Sequence, residues 1–379
     1  MSAPKRHLYL VLEDWEEGYT VRKIDVESFD AKQQEPEALP DPPVIRVEAE
    51  HGQAELFTGL GTRILALHRS PAGAGVPVFD TATLGLAVAP PPQGDALAQA
   101  RRPTLVAVGG DRVYGLEAAT IKAGPDGGDR EVRHFVVLRA PAPPSRKQWS
   151  WGTVPAPPPF SPASVVCYAV HPDASTVFSV DRAAGSKQAG GGRGGGTFSF
   201  NTQRLEWTCH GAWLLPFTGQ AHYDAKLGAW VGICSGGGGT DAGAARGRIC
   251  SCDVVAPGGG RRTPAPEWTL GAEPLFCEDE KRHVGAALVY MGDSRFCLLE
   301  CVKPRAAVLE CAMATPKADG TGKKKMWKVK QQESYLLHVT AFGLKYGDHG
   351  ELTAAATRRS YEVPEGAAKF LEKPVAFWM

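Results

Sequence analysis

Three tryptophans recur at nearly even intervals along the chain. Trp151, Trp207 and Trp268 lie 56 and 61 residues apart. The octapeptide Phe200-Asn201-Thr202-Gln203-Arg204-Leu205-Glu206-Trp207 reads as a strand, a polar turn, and a second strand entered through Trp. Phe79-Asp80-Thr81-Ala82-Thr83-Leu84-Gly85-Leu86 repeats this pattern 121 residues earlier without the Trp. Cys252-Asp253 followed by Pro266-Glu267-Trp268 repeats it later with a longer turn. A period of roughly fifty to sixty residues filled with short strands is the signature of β-propeller blades.

The strands can be placed within that period. A first unit reads Leu8 to Leu12, Tyr19 to Val26 and Val44 to Val47; β-branched and aromatic residues dominate, which favours strands over a helix. A second has Ala54 to Leu60, Thr62 to His68, Val76 to Asp80 and Leu84 to Ala89, ended by Pro90-Pro91-Pro92. Thr104 to Val108, Arg112 to Leu116, His134 to Arg139 and Trp149 to Val154 form the third. Ser164 to Val170, Thr176 to Val180, Thr197 to Phe200 and Arg204 to Thr208 form the fourth. The fifth runs through Ala221 to Tyr223, Ala229 to Cys234, Arg248 to Val254 and Glu267 to Leu270. The sixth has His283 to Tyr290, Arg295 to Val302, Tyr335 to Lys345 and Ser360 to Val363. The expectation is an all-β chain forming a β-propeller of about six four-stranded blades, a single domain over residues 1–379. The first unit is one strand short, and the apolar Val375-Ala376-Phe377-Trp378-Met379 is expected to return and complete it beside Leu8 to Leu12. Trp207 is expected to be largely buried between neighbouring units.

Composition narrows the function classes. With 42 basic and 41 acidic side chains the formal charge is +1, so neither nucleic acid nor an acidic membrane is expected as the main partner. The 44 glycines and 30 prolines favour many tight turns. Nine cysteines, an odd number at scattered spacings, sit mostly among apolar residues, as in Val166-Cys167-Tyr168; they read as small buried side chains in a reducing compartment. Only five apolar residues separate His7 from Glu13, too few for a signal-peptide core, and no run approaches a membrane span. A cytoplasmic or nuclear protein is expected. Gly-rich insertions lie near residues 185–196, 235–247 and 257–263, and a basic loop near 315–332. The run Gly190 to Gly196 leads into the β-type Thr197-Phe198-Ser199-Phe200, whereas a phosphate cradle needs a following helix.

Several clusters were weighed for chemistry. Cys250-Ser251-Cys252 puts two thiols on one strand face. A zinc site would need two more ligands, and Cys234, Cys209 and His210 are the candidates, but no C-x-x-C or H-x-x-x-H spacing supports them. The simpler reading is core cysteines. His222-Tyr223-Asp224 offers an acid–base pair, or a strand ending in an Asp turn. Gly292-Asp293-Ser294 has the composition of a nucleophile turn but strand-like flanks, which fit a two-strand turn. Lys323-Lys324-Lys325 with Lys328 and Lys330, around Trp327, is a nuclear-import signal, an acidic-partner patch or a solvated loop. The Pro-rich stretch from Pro141 to Pro159 could bind aromatic grooves as polyproline II or simply terminate strands. No residue is assigned to catalysis, to a cofactor or to a metal.

The Phe-Asn-Thr-x-x-Leu-x-Trp pattern at 200–207 resembles the kelch repeat, in which an aromatic followed by Asp or Asn ends one strand and a turn leads to a strand bearing Trp. Gly109-Gly110 after Leu105 to Val108 resembles the kelch double glycine. Most units lack the Gly pair, so the resemblance implies a divergent, kelch-like propeller. Over nearly the whole length, phrases such as Trp149-Ser150-Trp151-Gly152-Thr153-Val154-Pro155, Cys167-Tyr168-Ala169-Val170-His171-Pro172-Asp173, Leu288 to Cys297 and the closing Ala376-Phe377-Trp378-Met379 resemble a large, uncharacterised family of grasses that carries a domain of unknown function. That resemblance implies a plant source and a propeller, and it transfers no activity. A WD-repeat reading, prompted by His171-Pro172-Asp173 and Gly196 to Phe200, changes the blade family only. The function expected is a non-enzymatic scaffold that binds another protein through propeller-face loops; the alternative is an enzyme with a site at the central channel. Many plant kelch proteins carry an F-box bundle before the propeller. Strand-like sequence here begins at Leu8, so any degradation machinery is expected to come on another chain.

Overall fold

The computed structural model describes residues 5–30, 35–49, 56–67, 75–92, 103–121, 130–141, 148–181, 195–236, 247–256, 263–277, 279–303, 335–363, 367 and 372–379. Their regular structure is β, apart from 3-10 turns at Val26–Ser28 and Pro162–Ser164. Among the described residues no helix is long and apolar enough to cross a membrane.

The strands fall into groups, each an antiparallel set in chain order. The first holds β1 (Leu8–Trp15), β2 (Gly18–Ile24) and β4 (Ile45–Glu48), with the two-residue β3 (Glu37–Ala38) between them in sequence. The second is β5 (Leu56–Leu60), β6 (Arg63–Leu67), β7 (Val76–Asp80) and β8 (Gly85–Ala89). The third is β9 (Thr104–Val108), β10 (Arg112–Ile121), β11 (Arg130–Arg139) and β12 (Ser150–Thr153). The fourth is β13 (Val165–Val170), β14 (Thr176–Val180), β15 (Gly196–Asn201) and β16 (Glu206–Gly211). The fifth is β17 (Phe217–Asp224), β18 (Ala229–Cys234), β19 (Ile249–Asp253) and β20 (Trp268–Leu270). The sixth is β21 (His283–Gly292), β22 (Arg295–Val302), β23 (Tyr335–Tyr346) and β24 (Leu352–Val363). The last strand, β25 (Val375–Trp378), does not extend the sixth group. It pairs antiparallel with β1, Leu8 opposite Trp378 and Val11 opposite Val375, giving the order β25-β1-β2-β4. His7 and Met379 seal the end of this pairing with N–H···O bonds of 2.7 and 3.1 Å.

The first strand of each group packs beside the first strand of the next. β5 meets β9, β9 meets β13, β13 pairs in parallel with β17, β17 meets β21, and β21 meets β25. β25 in turn lies against β5: a Cβ at Gly59 would sit 2.8 Å from Phe377 Cδ1 and from Met379 Cε. The series of contacts thus returns to its starting strand. Two further links tie the first group to the sixth. β3 pairs in parallel with β24, and Arg295 meets Glu27 at 2.6 Å.

The core follows from this order. Strands covered on both faces read as unbroken apolar runs rather than alternating ones. In β1, Tyr9 and Val11 face Ile64 and Ala66 of the second group, while Leu8, Leu10 and Leu12 face Val289, Leu299 and Val339 of the sixth. β22 behaves likewise, with Phe296 and Leu298 toward Val231 and Ile249, and Cys297, Leu299 and Cys301 toward the first group. Leu60 and Val78 pack on Val113 and Leu138; Leu116 and Phe135 on Phe178 and Phe200; Cys167 and Val177 on Phe217 and Trp230. Apolar contact therefore lies between groups, each fully buried Leu or Phe contributing about 2 kcal/mol.

The recurring tryptophans occupy equivalent places on the fourth strands. Trp151 stands opposite Leu138, Trp207 opposite Phe200 and Trp268 opposite Cys252. Trp151 Nε1 donates to the Pro90 carbonyl (2.8 Å) and Trp207 Nε1 to that of Ala156 (3.0 Å), each just beyond the fourth strand of the preceding group. Trp207 also touches Phe135, Phe160, Phe178 and Phe200 at centroid distances of 4.9–5.7 Å. It is buried in large part, as expected, and what remains accessible follows from its place on a fourth strand at the edge of the sheet. Trp268 is 47% exposed. The turns repeat too. Asp80 Oδ1 accepts the N–H groups of Ala82 and Thr83, Asn201 Oδ1 those of Gln203 and Arg204, and Leu84 and Leu205 take left-handed φ values of 55° and 57°. Tyr223-Asp224-Ala225-Lys226-Leu227-Gly228 is a third copy, with Gly228 at φ 65° in the left-handed place.

One buried group runs against the pattern. Glu117, opposite His134 on β11, is fully buried and neither carboxylate oxygen has a hydrogen-bond partner. Burial pushes its carboxyl from 4.5 to about 8, so it stays protonated in the folded chain at neutral pH.

Three measurements check these assignments. In denaturant melts Trp207→Ala should cost about 3 kcal/mol, whereas Trp268→Ala should cost less than about 1 kcal/mol; equal losses would overturn the register. Removing residues 375–379 exposes the β1 edge and should lower the melting temperature and cause aggregation, read by scanning calorimetry and light scattering. Because the folded pKa of Glu117 lies above its unfolded value, the parent loses stability as pH rises from 4.5 toward 8, at about 1.4 kcal/mol per unit. Glu117→Gln should remove this slope, so that the variant gains on the parent steadily across that window.

Candidate functional site

The end of β13, the middle of β17 and the end of β21 enclose a shallow recess of about 230 Å³. Val170, His171 and Pro172 line it from the fourth group, Gln220 to Tyr223 from the fifth, and Tyr290 from the sixth. It lies where three consecutive first strands run side by side, so its residues come from three separate stretches of the sequence.

Two imidazoles occupy it. His171 Nδ1 lies 2.7 Å from Asp173 Oδ1, and its ring stands edge-on to Trp230 at 6.1 Å. Burial acts to raise the Asp173 carboxyl, but the hydrogen bonds from Ser175 and the nearby His171 outweigh it and hold the group below the usual range. His222 donates from Nε2 to the Leu288 carbonyl at 3.0 Å and stacks on Tyr290 at 6.2 Å. Burial lowers its pKa, which keeps it neutral. Tyr290 donates its hydroxyl to Asp224 Oδ2 at 2.9 Å; burial first, then this bond, raises the phenol to about 12. None of the residues lining the recess is Ser, Cys, Lys, Asp or Glu. The lining offers hydrogen-bonding groups and aromatic faces.

Asp224 closes the floor behind Tyr290. It is fully buried and accepts from Leu227 N–H (2.8 Å), Ser294 N–H (2.7 Å) and Ser294 Oγ (2.8 Å). Burial would raise its carboxyl, but these donors dominate and lower it. The residue clasps the fifth group to the sixth.

The other sequence candidates disperse. His222 and Asp224 take different partners, so they form no acid–base pair. Gly292-Asp293-Ser294 is the turn between β21 and β22, with Asp293 and Ser294 at φ 52° and 58°, and the Ser294 hydroxyl is committed to Asp224. Cys234, Cys250 and Cys252 lie in one buried cluster, whereas Cys209 is exposed and His210 bonds Ser199 at 2.8 Å. Among the described residues no group of three or more His, Cys, Asp or Glu side chains could hold a metal ion. Lys323, Lys324, Lys325, Trp327, Lys328 and Lys330 lie outside the described residues, as do most of the Gly-rich insertions and Pro143 and Pro144.

The sequence reading missed a second polar cluster. Glu300, buried within β22, accepts Cys277 N–H on both oxygens (3.0 and 2.9 Å) and lies 3.0 Å from His283 Nδ1. Arg282 Nη1 is 3.6 Å from Cys277 Sγ. The available signal was an acidic residue inside the apolar run Phe296 to Val302.

Among solved structures the chain matches a "novel fungal alcohol oxidase with catalytic diversity among the AA5 family, in complex with copper", at 11% identity over 95% of this chain and 67% of that one. The TM-score is 0.31, a likeness on which no conclusion about this chain is built. A comparison with curated proteins finds no match. A family model described as "Protein of unknown function (DUF1668)" matches residues 5–361, and the chain therefore belongs to the DUF1668 family.

Proposed function

We propose that the groups of strands are about six blades of a single, kelch-like β-propeller, and that it serves as a non-enzymatic scaffold for another protein in the cytoplasm or nucleus. Support for the propeller comes from the repeated four-strand groups, the first-strand contacts that return on themselves, and the last strand paired to the first.

The observation that carries the binding role is the outer edge of the second group. β8 is the fourth strand of its sheet. Leu84 is 70% exposed, and Leu86 and Val88 are 66% exposed. No charged residue occurs from Thr81 to Pro92. Soluble proteins usually blunt an edge strand with charge, and a bare apolar edge is suited to adding a strand from elsewhere. Three other edge strands are defended: β4 carries the exposed Arg46 and Glu48, and β12 and β16 carry the anchored Trp151 and Trp207. The fitting partner is an extended, apolar protein segment. A contact there would lie on the rim instead of the loops of a propeller face. The enzymatic alternative would centre on the recess, where the His171–Asp173 pair favours it.

Leu86→Lys with Val88→Lys tests the reading, since both positions are exposed and tolerate charge without loss of fold. A photo-crosslinker at residue 86 of the parent chain should label a protein from an extract of the source tissue. The double variant should lose that protein while its melting temperature stays unchanged. A partner retained by the variant, or no labelled protein, would overturn the proposal.

A further inference from the structure

The recess at the ends of β13, β17 and β21 has a chemical preference of its own. Two of its donors are committed inward. The Tyr290 hydroxyl is given to Asp224 Oδ2 at 2.9 Å, and His222 Nε2 gives its proton to the Leu288 carbonyl at 3.0 Å. The two rings stack at 6.2 Å, and Tyr223 adds a third aromatic side chain to the lining. Ring surface is therefore a larger part of what this corner offers a ligand than hydrogen-bond donors are.

Two carboxylates adjoin these rings. Asp224 lies behind Tyr290, and Asp173 stands at the rim, 2.7 Å from His171 Nδ1 with its side chain 42% exposed. Burial would raise both carboxyls, but their hydrogen bonds outweigh it and hold both below the usual range. Among the described residues that line the recess none is Lys or Arg, and the nearby Lys226 is paired with Asp293 at 3.3 Å. Burial keeps His222 neutral, so it adds no repulsion. Protonation of His171 would offset Asp173 and leave Asp224 uncompensated. The field in the recess thus favours a cation.

The hydrogen bonds decide which kind of cation. Asp224 Oδ1 accepts from Leu227 N–H and Ser294 Oγ, and Oδ2 from Tyr290 Oη and Ser294 N–H. A carboxylate has about four lone-pair sites, so none is left for a proton of the ligand. Its charge reaches the recess through Tyr290, whose ring becomes richer in electrons by donating to it. A primary ammonium would surrender its hydration without replacement at this end, whereas a nitrogen bearing only carbon has no N–H to satisfy. The volume of about 230 Å³ lies below the ~300–1,000 Å³ of pockets for drug-sized ligands. It suits a single headgroup.

We propose that the recess binds a quaternary ammonium group against the rings of Tyr290 and Tyr223, attracted by Asp173 and Asp224. This site is separate from the β8 edge, which belongs to the second group, and either can fail without the other.

The test uses the full chain and choline, whose methyl protons report binding by saturation-transfer difference NMR. Its uncharged isostere, with carbon in place of nitrogen, serves as the control. Choline should bind saturably and about tenfold more tightly than the isostere. Asp173→Asn keeps an acceptor for the Ser175 N–H and should weaken choline about threefold while leaving the isostere unchanged. Tyr290→Leu should abolish the preference for the charged ligand. A peptide carrying trimethyllysine distinguishes the sources of the headgroup: tighter binding than choline assigns it to a protein chain, weaker binding to a small molecule. No saturable transfer from either ligand, equal affinity for the isostere, or a preference for charge that survives both substitutions would each overturn the proposal. If Tyr290→Leu fails to fold, the isostere and Asp173→Asn decide the question.

Discussion

Antiparallel pairing of β25 with β1 is the constraint on which the rest of the structure depends. Without it the first group would be three strands with β1 as an open edge, and the contact between β21 and β25 would be lost. The pairing satisfies backbone groups along Leu8 to Val11 and at the same time sets Phe377 and Met379 against Gly59 of β5. One short strand thus joins the first, second and sixth groups. The absence of a side chain at Gly59 permits that close approach.

Because the apolar clusters lie between sheets, no group owns a core. Leu8 and Tyr9 are neighbours in sequence yet are buried against different groups. Among the described residues each group is covered by the groups beside it, a nearest-neighbour arrangement like that of repeat proteins. Where a repeat array ends in exposed caps, this chain returns on itself. Polar links reinforce the same boundaries: Asp224 with Ser294 and Tyr290 joins the fifth and sixth groups, and Trp151 and Trp207 each reach back to the preceding group.

Much of the strand order was legible because its signals are local. Leu8 to Leu12 and Phe296 to Val302 are unbroken apolar runs, and Phe-Asn or Phe-Asp before a polar turn marks the hairpins at Asp80 and Asn201. β3 was not legible: Glu37-Ala38 has no strand signature, and its parallel partner, Tyr361 and Glu362, lies more than three hundred residues away. The start of β17 was missed because Thr218-Gly219-Gln220 breaks the alternation, with Gly219 at φ 71° and an irregular register against β18. The third copy of the turn, at Tyr223 to Gly228, went unread because glycine replaces leucine in the left-handed place. The recess was invisible for a different reason. Its chemistry depends on which first strands are neighbours, and nothing near His171 or His222 in sequence specifies Tyr290 or Leu288.

The shared sheet also orders events in time. A ribosome makes β1, β2 and β4 more than three hundred residues before the strand that completes their sheet. Throughout elongation, the inner edge of β1 and the face of Leu8, Leu10 and Leu12 wait for partners from β21, β22 and β25. The second to fifth groups can stack on one another as they emerge, whereas the first cannot complete its contacts with the sixth until Val375 to Trp378 are made. The nascent chain therefore passes through a state in which a growing stack is present while its first sheet is one strand short, and in that interval the unpaired edge of β1 is exposed to chaperones and to other nascent chains.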